Sequence, residues 1–315
     1  MSDDFLQRAQ GILDLGKLAK SKIAFWGLGS LNSKALGILA YPWGEIVLCD
    51  PQNLERANLE RHLLPRQYLG RNKAEACADW LTNVRGLDPN GTKITVHQGR
   101  AQDFIRLHAD TTIAVVGIDH LRTKQDINQV LMEYNIPTLY GGVYPKGVGG
   151  KVIFTPDPAR VCYNCAQTLV GSEYHGKDPT TNYGIDPTTL QDEEGNLKAV
   201  PALAESVEAI ASDMADFVTD FMEGKGGDLR PQIQIRAIDD WVSILVFSQS
   251  SSLLPKFAGF IGAQAEAGLV AKMRFKRREG KVEVQIAQGT QSLILTRQDQ
   301  CPYHKDQASI SLDDL

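Results

Sequence analysis

The feature of this sequence that most restricts its fold is an alternation of apolar strand-like runs and helix-like runs between residues 22 and 143. Strand patterns are predicted at 22–29, 44–50, 93–99, 111–119 and 136–143, and helix patterns at 30–41, 71–87 and 123–135. Such an alternation builds a parallel sheet with helices on both faces, and ligands bind outside the carboxyl ends of its strands. The sequence therefore predicts an α/β fold with a doubly wound, Rossmann-like, mainly parallel sheet.

The rest of the chain departs from this alternation. Residues 166–200 are polar and rich in Gly, Pro, Asp and Thr, which predicts a long crossover loop. A helix is predicted at 200–224, a second near 260–273, and short strands at 231–238, 242–247, 281–287 and 291–296. No shift in composition marks a linker, so we expect one domain over 1–315, with a Rossmann-like half at 1–165 and a C-terminal half at 201–315 that continues it.

Charge and hydropathy exclude several classes of protein. Thirty-three basic residues against thirty-eight acidic ones give a net charge of −5, which supplies no basic surface for nucleic acid. No apolar stretch approaches the roughly 18 residues that span a bilayer, and residues 1–20 lack the pattern of a signal peptide. We therefore expect neither a nucleic-acid nor a membrane partner, and a cytoplasmic location. The five cysteines, an odd number, are expected to be thiols or metal ligands.

A glycine-containing turn follows the first predicted strand. The segment GLGSLN keeps Gly27 and Gly29 of the dinucleotide-binding fingerprint but has Asn32 in place of its third glycine. These two glycines permit a tight turn and let phosphates approach the N-terminus of the next helix, although they also suit an ordinary strand-to-helix turn. Asp50 ends the second strand about twenty residues further on, where an acid accepts hydrogen bonds from ribose hydroxyls. Together these residues indicate a nucleotide site.

Four more polar residues lie at the same edge of the predicted sheet: Asn58, Arg61, Lys73 and Asp119. The planar fork of arginine bridges phosphate oxygens, lysine adds a point charge, and aspartate in such a crevice holds Mg²⁺. This set suits a triphosphate and serves little purpose in a nicotinamide dehydrogenase. Taken singly, each also has a structural interpretation: the basic residues as solvated helix charges, Asn58 as a turn residue and Asp119 as a helix N-cap.

With these motifs the sequence resembles the MoeB/ThiF/HesA family of adenylating enzymes, whose fold also occurs in ubiquitin-activating enzymes. The resemblance covers roughly residues 20 to 165 and continues weakly to 305. It is carried by the segments GLGSLNS, CDPQNLERANLERH, GRNKAEA, GIDHLRTK, CYNC and CPYH.

The resemblance implies that Asp50 binds the ribose of ATP and that Asp119 engages Mg²⁺ near the α-phosphate. It implies phosphate contacts from Asn58, Arg61 and Lys73. The reaction that it implies is adenylation of the C-terminal glycine of a small ubiquitin-like or sulfur-carrier protein ending in Gly-Gly, with release of pyrophosphate. Family members form symmetric dimers, so we expect a homodimer in which Arg8 reaches the partner's site.

Cysteine spacing predicts a structural zinc site. Cys162 and Cys165 supply two thiolates from one tight turn, and Cys301 and His304 repeat that interval. Four protein ligands close a tetrahedral site, which favours a structural ion over a catalytic one. The alternative is that Cys301 and His304 are surface residues whose spacing matches by chance. In the family, the second pair is usually two cysteines.

Only Cys49 and Cys77 then remain as thiols. Cys49 lies inside an apolar strand and Cys77 on a helix, where it is expected to pack as a small core residue. We therefore expect the protein to pass its acyl-adenylate to an external sulfur or amine acceptor without forming a thioester.

Several positions depart from the family's pattern, namely Ser30, Asn32, Gln52, His62 and His120. They replace two glycines, an aspartate, a glutamine and an asparagine of that pattern. Two other functions also stay open. One is a Rossmann oxidoreductase that binds a nicotinamide or flavin, and the other is a non-catalytic nucleotide-binding partner subunit.

Overall fold

The computed structural model describes residues 9, 11–143, 149–169, 202–224, 232–247, 273–278 and 281–294. For 167–169 and from 232 onward it describes the backbone alone. Within these ranges the strands form one sheet in the order β3-β2-β1-β4-β5-β6-β7-β9-β8.

The first five strands form the parallel half that the alternation predicts. They are β1 Lys22–Trp26, β2 Glu45–Cys49, β3 Lys93–His97, β4 Ile113–Val116 and β5 Thr138–Val143. Every neighbouring pair among them is parallel. The chain winds outward from β1 in one direction and from β4 in the other, so the carboxyl ends of β1 and β4 flank the crevice where such sheets bind ligands. The predicted fold class is confirmed.

Helices cover both faces of the sheet. They are α1 Leu15–Leu18, α2 Ser30–Ile38, α3 Lys73–Asn83, α4 Ala101–Phe104, α5 Leu121–Glu133, α6 Tyr163–Leu169 and α7 Ala204–Glu223. One hydrophobic cluster packs α2, α3 and α7 against the face that carries Phe25, Leu48 and Val115. A second packs α4, α5 and α6 against the opposite face, which carries Val47 and Tyr140. Burial on both faces explains why β2 is apolar without alternation.

The second half of the sheet is antiparallel. Its strands are β6 Gly149–Thr155, β7 Gln232–Phe247, β8 Met273–Arg278 and β9 Lys281–Ile294. Beyond β5, each strand in the order β6-β7-β9-β8 pairs antiparallel with its neighbour. The C-terminal strands therefore extend the sheet of the Rossmann-like half.

Three details differ from the sequence prediction. Strand β6 was not expected, because it follows β5 without a helix and so falls outside the alternation. The short strands predicted on either side of Asp239 and Asp240 are one strand, β7, which takes up the polar pair as a shift of register between Ala237 and Trp241. Likewise, the apolar runs at 281–287 and 291–296 join in β9, which ends at Ile294.

The predicted crossover loop also begins too early, because residues 166–169 belong to α6. Residues 170–201, and 260–272 of the predicted second helix, lie outside the described residues. The single domain over 1–315 stays a prediction. Among the described helices, none combines the length and apolar character needed to cross a bilayer.

Candidate functional site

The turn after β1 needs glycine at one position and tolerates a side chain at the other. Gly27 has φ +81°, and a Cβ there would lie 2.6 Å from Ile118 Cγ1, which is closer than real contacts. Gly29 has φ −67°, and a Cβ would lie 3.9 Å from the carbonyl oxygen of Gly117. Only Gly27 is therefore fixed by backbone conformation and close packing. Gly29 is the N-cap of α2 and offers no side-chain cap, so the first turn of that helix faces the crevice with its N–H groups.

Asn32, which stands where the fingerprint has its third glycine, is a structural link between β1 and β4. Its side chain is fully buried, and Nδ2 donates to the carbonyls of Gly27 at 2.8 Å and Val115 at 3.2 Å. A Cβ on Gly117 would lie 2.3 Å from the Asn32 amide. The glycine that this close approach requires has thus moved from the helix to the end of β4.

Asp50 braces the turn after β1. It is buried at the end of β2, where Oδ2 accepts the Leu28 N–H at 2.6 Å and Oδ1 accepts the Gln52 N–H at 2.8 Å. Each carboxylate oxygen keeps a further lone pair for a hydroxyl donor. The aspartate is therefore positioned by the backbone before any ligand arrives.

Lys73 is held next to this carboxylate. It is the first residue of α3, and Asn72 caps that helix by accepting the N–H groups of Ala74 and Glu75. Asn72 Nδ2 also donates to the Asp50 carbonyl at 2.9 Å, which ties the helix N-terminus to the end of β2. The buried Lys73 ammonium donates to Gln52 Oε1 at 2.8 Å. Gln52, where an acid is common in the family, thus orients the lysine without neutralising it.

Asn58 and Arg61 share one turn beyond β2. Asn58 ends a short 3₁₀ helix, Arg56–Asn58, and its Oδ1 accepts the Glu55 N–H at 3.0 Å in a capping box. The Arg61 N–H donates to the Asn58 carbonyl at 3.1 Å. The Arg61 guanidinium points towards the segment before α7, with Nη1 3.4 Å from the carbonyl oxygen of Ala202, two residues before the helix begins.

His62 joins this turn to the glycine turn. Its Nδ1 accepts the Leu64 N–H at 3.1 Å, so the proton lies on Nε2, which donates to the Leu28 carbonyl at 2.8 Å. Burial, with a smaller contribution from the nearby Lys73 ammonium, lowers the pKa of the imidazole to about 4. The ring is therefore neutral at physiological pH and serves as a fixed brace.

Asp119 lies across the crevice from these residues. It follows β4 in the sequence Gly117-Ile118-Asp119, and its side chain is exposed. The predicted alternative, that Asp119 caps α5, is wrong. His120 is the N-cap, and its Nδ1 accepts the Thr123 N–H at 3.3 Å. This bond leaves the Asp119 carboxylate outside the helix end.

The cysteines of the described chain, namely Cys49, Cys77, Cys162 and Cys165, are all buried. Burial raises the pKa of the Cys49 thiol to about 12, and it raises that of Cys77 as well. Cys162 and Cys165 flank the start of α6, with a 3.0 Å hydrogen bond from the Cys165 N–H to the Cys162 carbonyl. Within the described residues no group of three or more His, Cys, Asp or Glu side chains is placed to hold a metal. Cys301, His304 and Arg8 lie outside them.

Two further buried residues at this edge were missed from the sequence. Lys124 on α5 and Lys151 on β6 lie under the carboxyl end of β5. A lysine in an amphipathic helix normally indicates a solvated face, and Lys151 lies on the strand that the alternation did not predict. The signal available was a charged residue inside the apolar run GGKVIFT.

Fold and crevice together define a doubly wound α/β domain with a preformed polar site at the switch between β1 and β4. A family model described as ThiF family matches residues 5–252, and the chain belongs to that family.

Individual relatives are more distant. The SAMP-activating enzyme E1 of Haloferax volcanii is 31% identical over 156 residues, which cover 48% of this chain and 54% of that protein. The ubiquitin-like modifier-activating enzyme 5 of Drosophila grimshawi is 24% identical over 179 residues, covering 53% of this chain and 45% of that protein. The chain thus spans about half the length of these relatives. A crystal structure of E. coli MccB with AMPCPP and MccA matches in fold, with a TM-score of 0.58, 16% identity and coverage of 96% of this chain and 74% of that one.

Proposed function

We propose that this protein uses Mg·ATP to adenylate the C-terminal carboxylate of a small ubiquitin-like or sulfur-carrier protein ending in Gly-Gly. The observation that carries the proposal is an unbroken chain of hydrogen bonds along one wall of the crevice. His62 contacts the glycine turn, the glycine turn contacts Asp50, and Gln52 connects Asp50 to Lys73. A ribose acceptor and a phosphate-binding cation are thereby fixed relative to the open N-terminus of α2.

The chemistry needs no protein nucleophile. An oxygen of the partner's ionised carboxylate forms a bond to the α-phosphorus of ATP, the bond from that phosphorus to the bridging oxygen breaks, and pyrophosphate leaves. The protein's task is to align the two anions and to neutralise the growing charge. Lys73 and Arg61 supply fixed positive charge, with Asn58 as an amide donor on the same turn.

Asp119 would hold Mg²⁺. Its exposed carboxylate at the mouth of the crevice is the kind of oxygen ligand that Mg²⁺ takes, with the phosphates of the nucleotide completing the coordination. When bound, the ion screens the charge of the phosphates. Asp50 is less suited to this role because both of its oxygens already accept backbone N–H groups.

The partner class is supported by the relatives. One relative is named a SAMP-activating enzyme E1 and another a ubiquitin-like modifier-activating enzyme, and MccB was crystallised with both AMPCPP and MccA. These matches favour a nucleotide and a polypeptide substrate over a nicotinamide or flavin. We also propose a homodimer with Arg8 reaching the partner's site, as the family resemblance implies, and a cytoplasmic location, as the sequence pattern of residues 1–20 led us to expect.

We also propose direct transfer of the acyl group to an external sulfur or amine acceptor. A thioester requires a thiolate that can reach the adenylate. Cys49 and Cys77 are buried thiols with raised pKa values, and Cys49 donates to the Gly99 carbonyl. A non-reducing gel after incubation with ATP and the carrier should show no adduct, and a thiol-sensitive adduct lost in Cys77→Ala or Cys49→Ala would overturn this step.

Zinc would be held by Cys162 and Cys165 together with Cys301 and His304. The described pair fits such a site, since both side chains are buried and lie one turn apart at the start of α6. Native mass spectrometry should find one zinc per chain, and less than stoichiometric zinc with unchanged stability of Cys301→Ser would exclude the site.

Calorimetry with the full chain tests the nucleotide directly. Mg·ATP should bind at one site, whereas NAD⁺ and FAD should not. Lys73→Ala should weaken Mg·ATP binding. Lys93→Ala is its matched control, because Lys93 is an exposed lysine at the amino end of β3, away from the crevice, where it pairs with Glu45. Binding of NAD⁺ or FAD without binding of Mg·ATP would favour the oxidoreductase instead.

A further inference from the structure

Two lysines lie buried on the same face of the sheet. Lys124 is 4% exposed and Lys151 is 9% exposed. The Lys124 ammonium donates to the Gly141 carbonyl at 3.0 Å. In the part of the chain that the structure describes, the Lys151 ammonium makes neither a hydrogen bond nor an ion pair. Buried lysines are rare unless paired.

The space between these lysines is bounded by a glycine. Gly142 pairs with Lys151 across β5 and β6. A Cβ on Gly142 would lie 3.8 Å from Lys124 Nζ and 4.0 Å from Lys151 Cγ. Both side chains therefore flank Gly142, and a methyl group there would just touch each of them.

This arrangement is unfavourable without an anion. Burial, together with the neighbouring Lys124 charge, lowers the pKa of Lys151 to about 7. Burial also lowers the pKa of Lys124, which Asp119 partly offsets. The pairing partners of Lys151, Gly142 and Ile235, carry no charge, and Tyr140 on the same face is neutral because burial raises its pKa. A methionine at position 151 would fill the space at lower cost, and groups held this way are typical of functional sites.

The position of the pair relative to the crevice indicates which anion it takes. Lys73, at the start of α3, is held next to the carboxyl end of β2. The Lys124–Lys151 pair lies at the carboxyl end of β5, beside the amino end of β6. Between β2 and β5 stand β1 and β4, so the two cationic groups are separated by three strand spacings, roughly 14 Å. Asp119 follows β4, between them. An anion at the pair would thus approach the phosphates from the side opposite Lys73.

We propose that Lys124 and Lys151 form the seat of the substrate carboxylate, the C-terminal carboxylate of a polypeptide with no side chain at its last residue. This inference rests on the proposed function, since it assigns the second substrate of the same reaction to a defined pair of residues. The two ammonium groups hold the carboxylate until attack, beside the position that Gly142 leaves without a side chain. The carboxylate in turn compensates the two buried charges.

Lysine NMR tests the seat without any catalytic turnover. In the full chain labelled with ¹³Cε-lysine, one lysine should titrate near pH 7, and that signal should be absent from Lys151→Met but present in the control Lys93→Met. N-acetylglycylglycine should raise its midpoint by about one pH unit, as expected for a cation that gains an anionic partner. The amide N-acetylglycylglycinamide, which has the same shape and no charge, should leave it unchanged.

Three results would overturn the proposal. One is an equal midpoint with the acid and the amide, and another is the absence of a lysine that titrates near neutrality. The third is a midpoint raised by inorganic pyrophosphate and unmoved by the peptide acid, which would assign the pair to the leaving group. All three readouts are independent of ATP, so they separate this proposal from the proposed function.

Kinetics provide the second test. Lys151→Met should raise the KM for the carrier on the order of tenfold, the cost of one charged hydrogen bond, while the Kd for Mg·ATP changes less than twofold. Its Tm should not fall, because the variant removes an uncompensated buried charge. Should that variant fail to fold, Gly142→Ala keeps both charges, adds a methyl at ordinary contact distances, and should also raise the carrier KM. An unchanged carrier KM in the folded variant would contradict the proposal.

Discussion

The two sides of the crevice differ in how far the protein supplies hydrogen-bond partners for their buried polar groups. On the β2 side, Asp50 and Lys73 each have hydrogen-bond partners supplied by the protein. On the β5 side, Lys124 has a single carbonyl partner, and Lys151 makes no polar contact within the described ranges. The β2 side is thus preorganised and stable without a ligand, whereas the β5 side is strained without one. Under the proposed function, the nucleotide enters a finished site and the second substrate completes the other.

The β2 side should lose most when its cation is removed. Lys73→Ala deletes the fixed charge that the proposed function places beside the phosphates, so carrier-dependent pyrophosphate exchange should fall on the order of 100-fold. Pyrophosphate exchange should also fall in Asp119→Ala, because that variant removes the proposed Mg²⁺ ligand. Full exchange activity in both variants would show that the phosphates bind elsewhere, and Lys93→Ala should match the wild type.

Because the buried His62 is neutral in the folded protein, the free energy of unfolding should depend on pH. Its pKa is about 4 in the folded protein and roughly 6.5 when unfolded. Below pH 6.5 the unfolded chain takes up a proton that the folded chain does not, so stability is full above 6.5 and falls by about 3 kcal/mol as the pH drops to 4.

His62→Gln provides the matched comparison, because glutamine does not titrate in this range. Urea unfolding between pH 7 and pH 4.5 should give a flatter stability curve for the variant than for the wild type. Parallel curves would mean that His62 is solvated rather than buried between Leu28 and Leu64.

The glycine turn offers a sharper test of preorganisation. Gly27→Ala should cost about 2 kcal/mol of folding free energy, since alanine resists a positive φ and its methyl would collide with Ile118. Gly29→Ala should cost about 0.5 kcal/mol, the penalty of alanine at an N-cap. Urea denaturation measures the loss of folding free energy in each variant. Equal losses would show that Gly27 is not more constrained than Gly29.

The link between β1 and β4 predicts a coupling. Gly117→Ala should be destabilising because its methyl meets the Asn32 amide, and Asn32→Gly because it removes bonds to Gly27 and Val115. The double variant should be more stable than the sum of the singles by about 1 kcal/mol. Strict additivity would show that the Asn32 amide and Gly117 do not share this space.

The contrast between the two sides also explains what the sequence could predict. Asp50, Lys73 and the glycine turn lie in the β-α-β alternation, where chain order fixes which strand ends meet. Lys151 lies on a strand that joins by antiparallel pairing, and its proximity to Lys124 depends on a register that no local pattern specifies. The roles of Asn32 and His62 were equally hidden, because each bonds backbone carbonyls that only the fold brings close.

Carrier-dependent ATP–pyrophosphate exchange tests the central claim most directly. The full chain, with Mg·ATP and labelled pyrophosphate, is offered a panel of small proteins ending in Gly-Gly, each matched with a version whose final carboxylate is amidated. The account predicts exchange with at least one carrier, and none with its amidated form, because the carboxylate is the group that attacks the α-phosphorus. Exchange that proceeds equally with the amidated form, or Mg·ATP that does not bind at all, would contradict it.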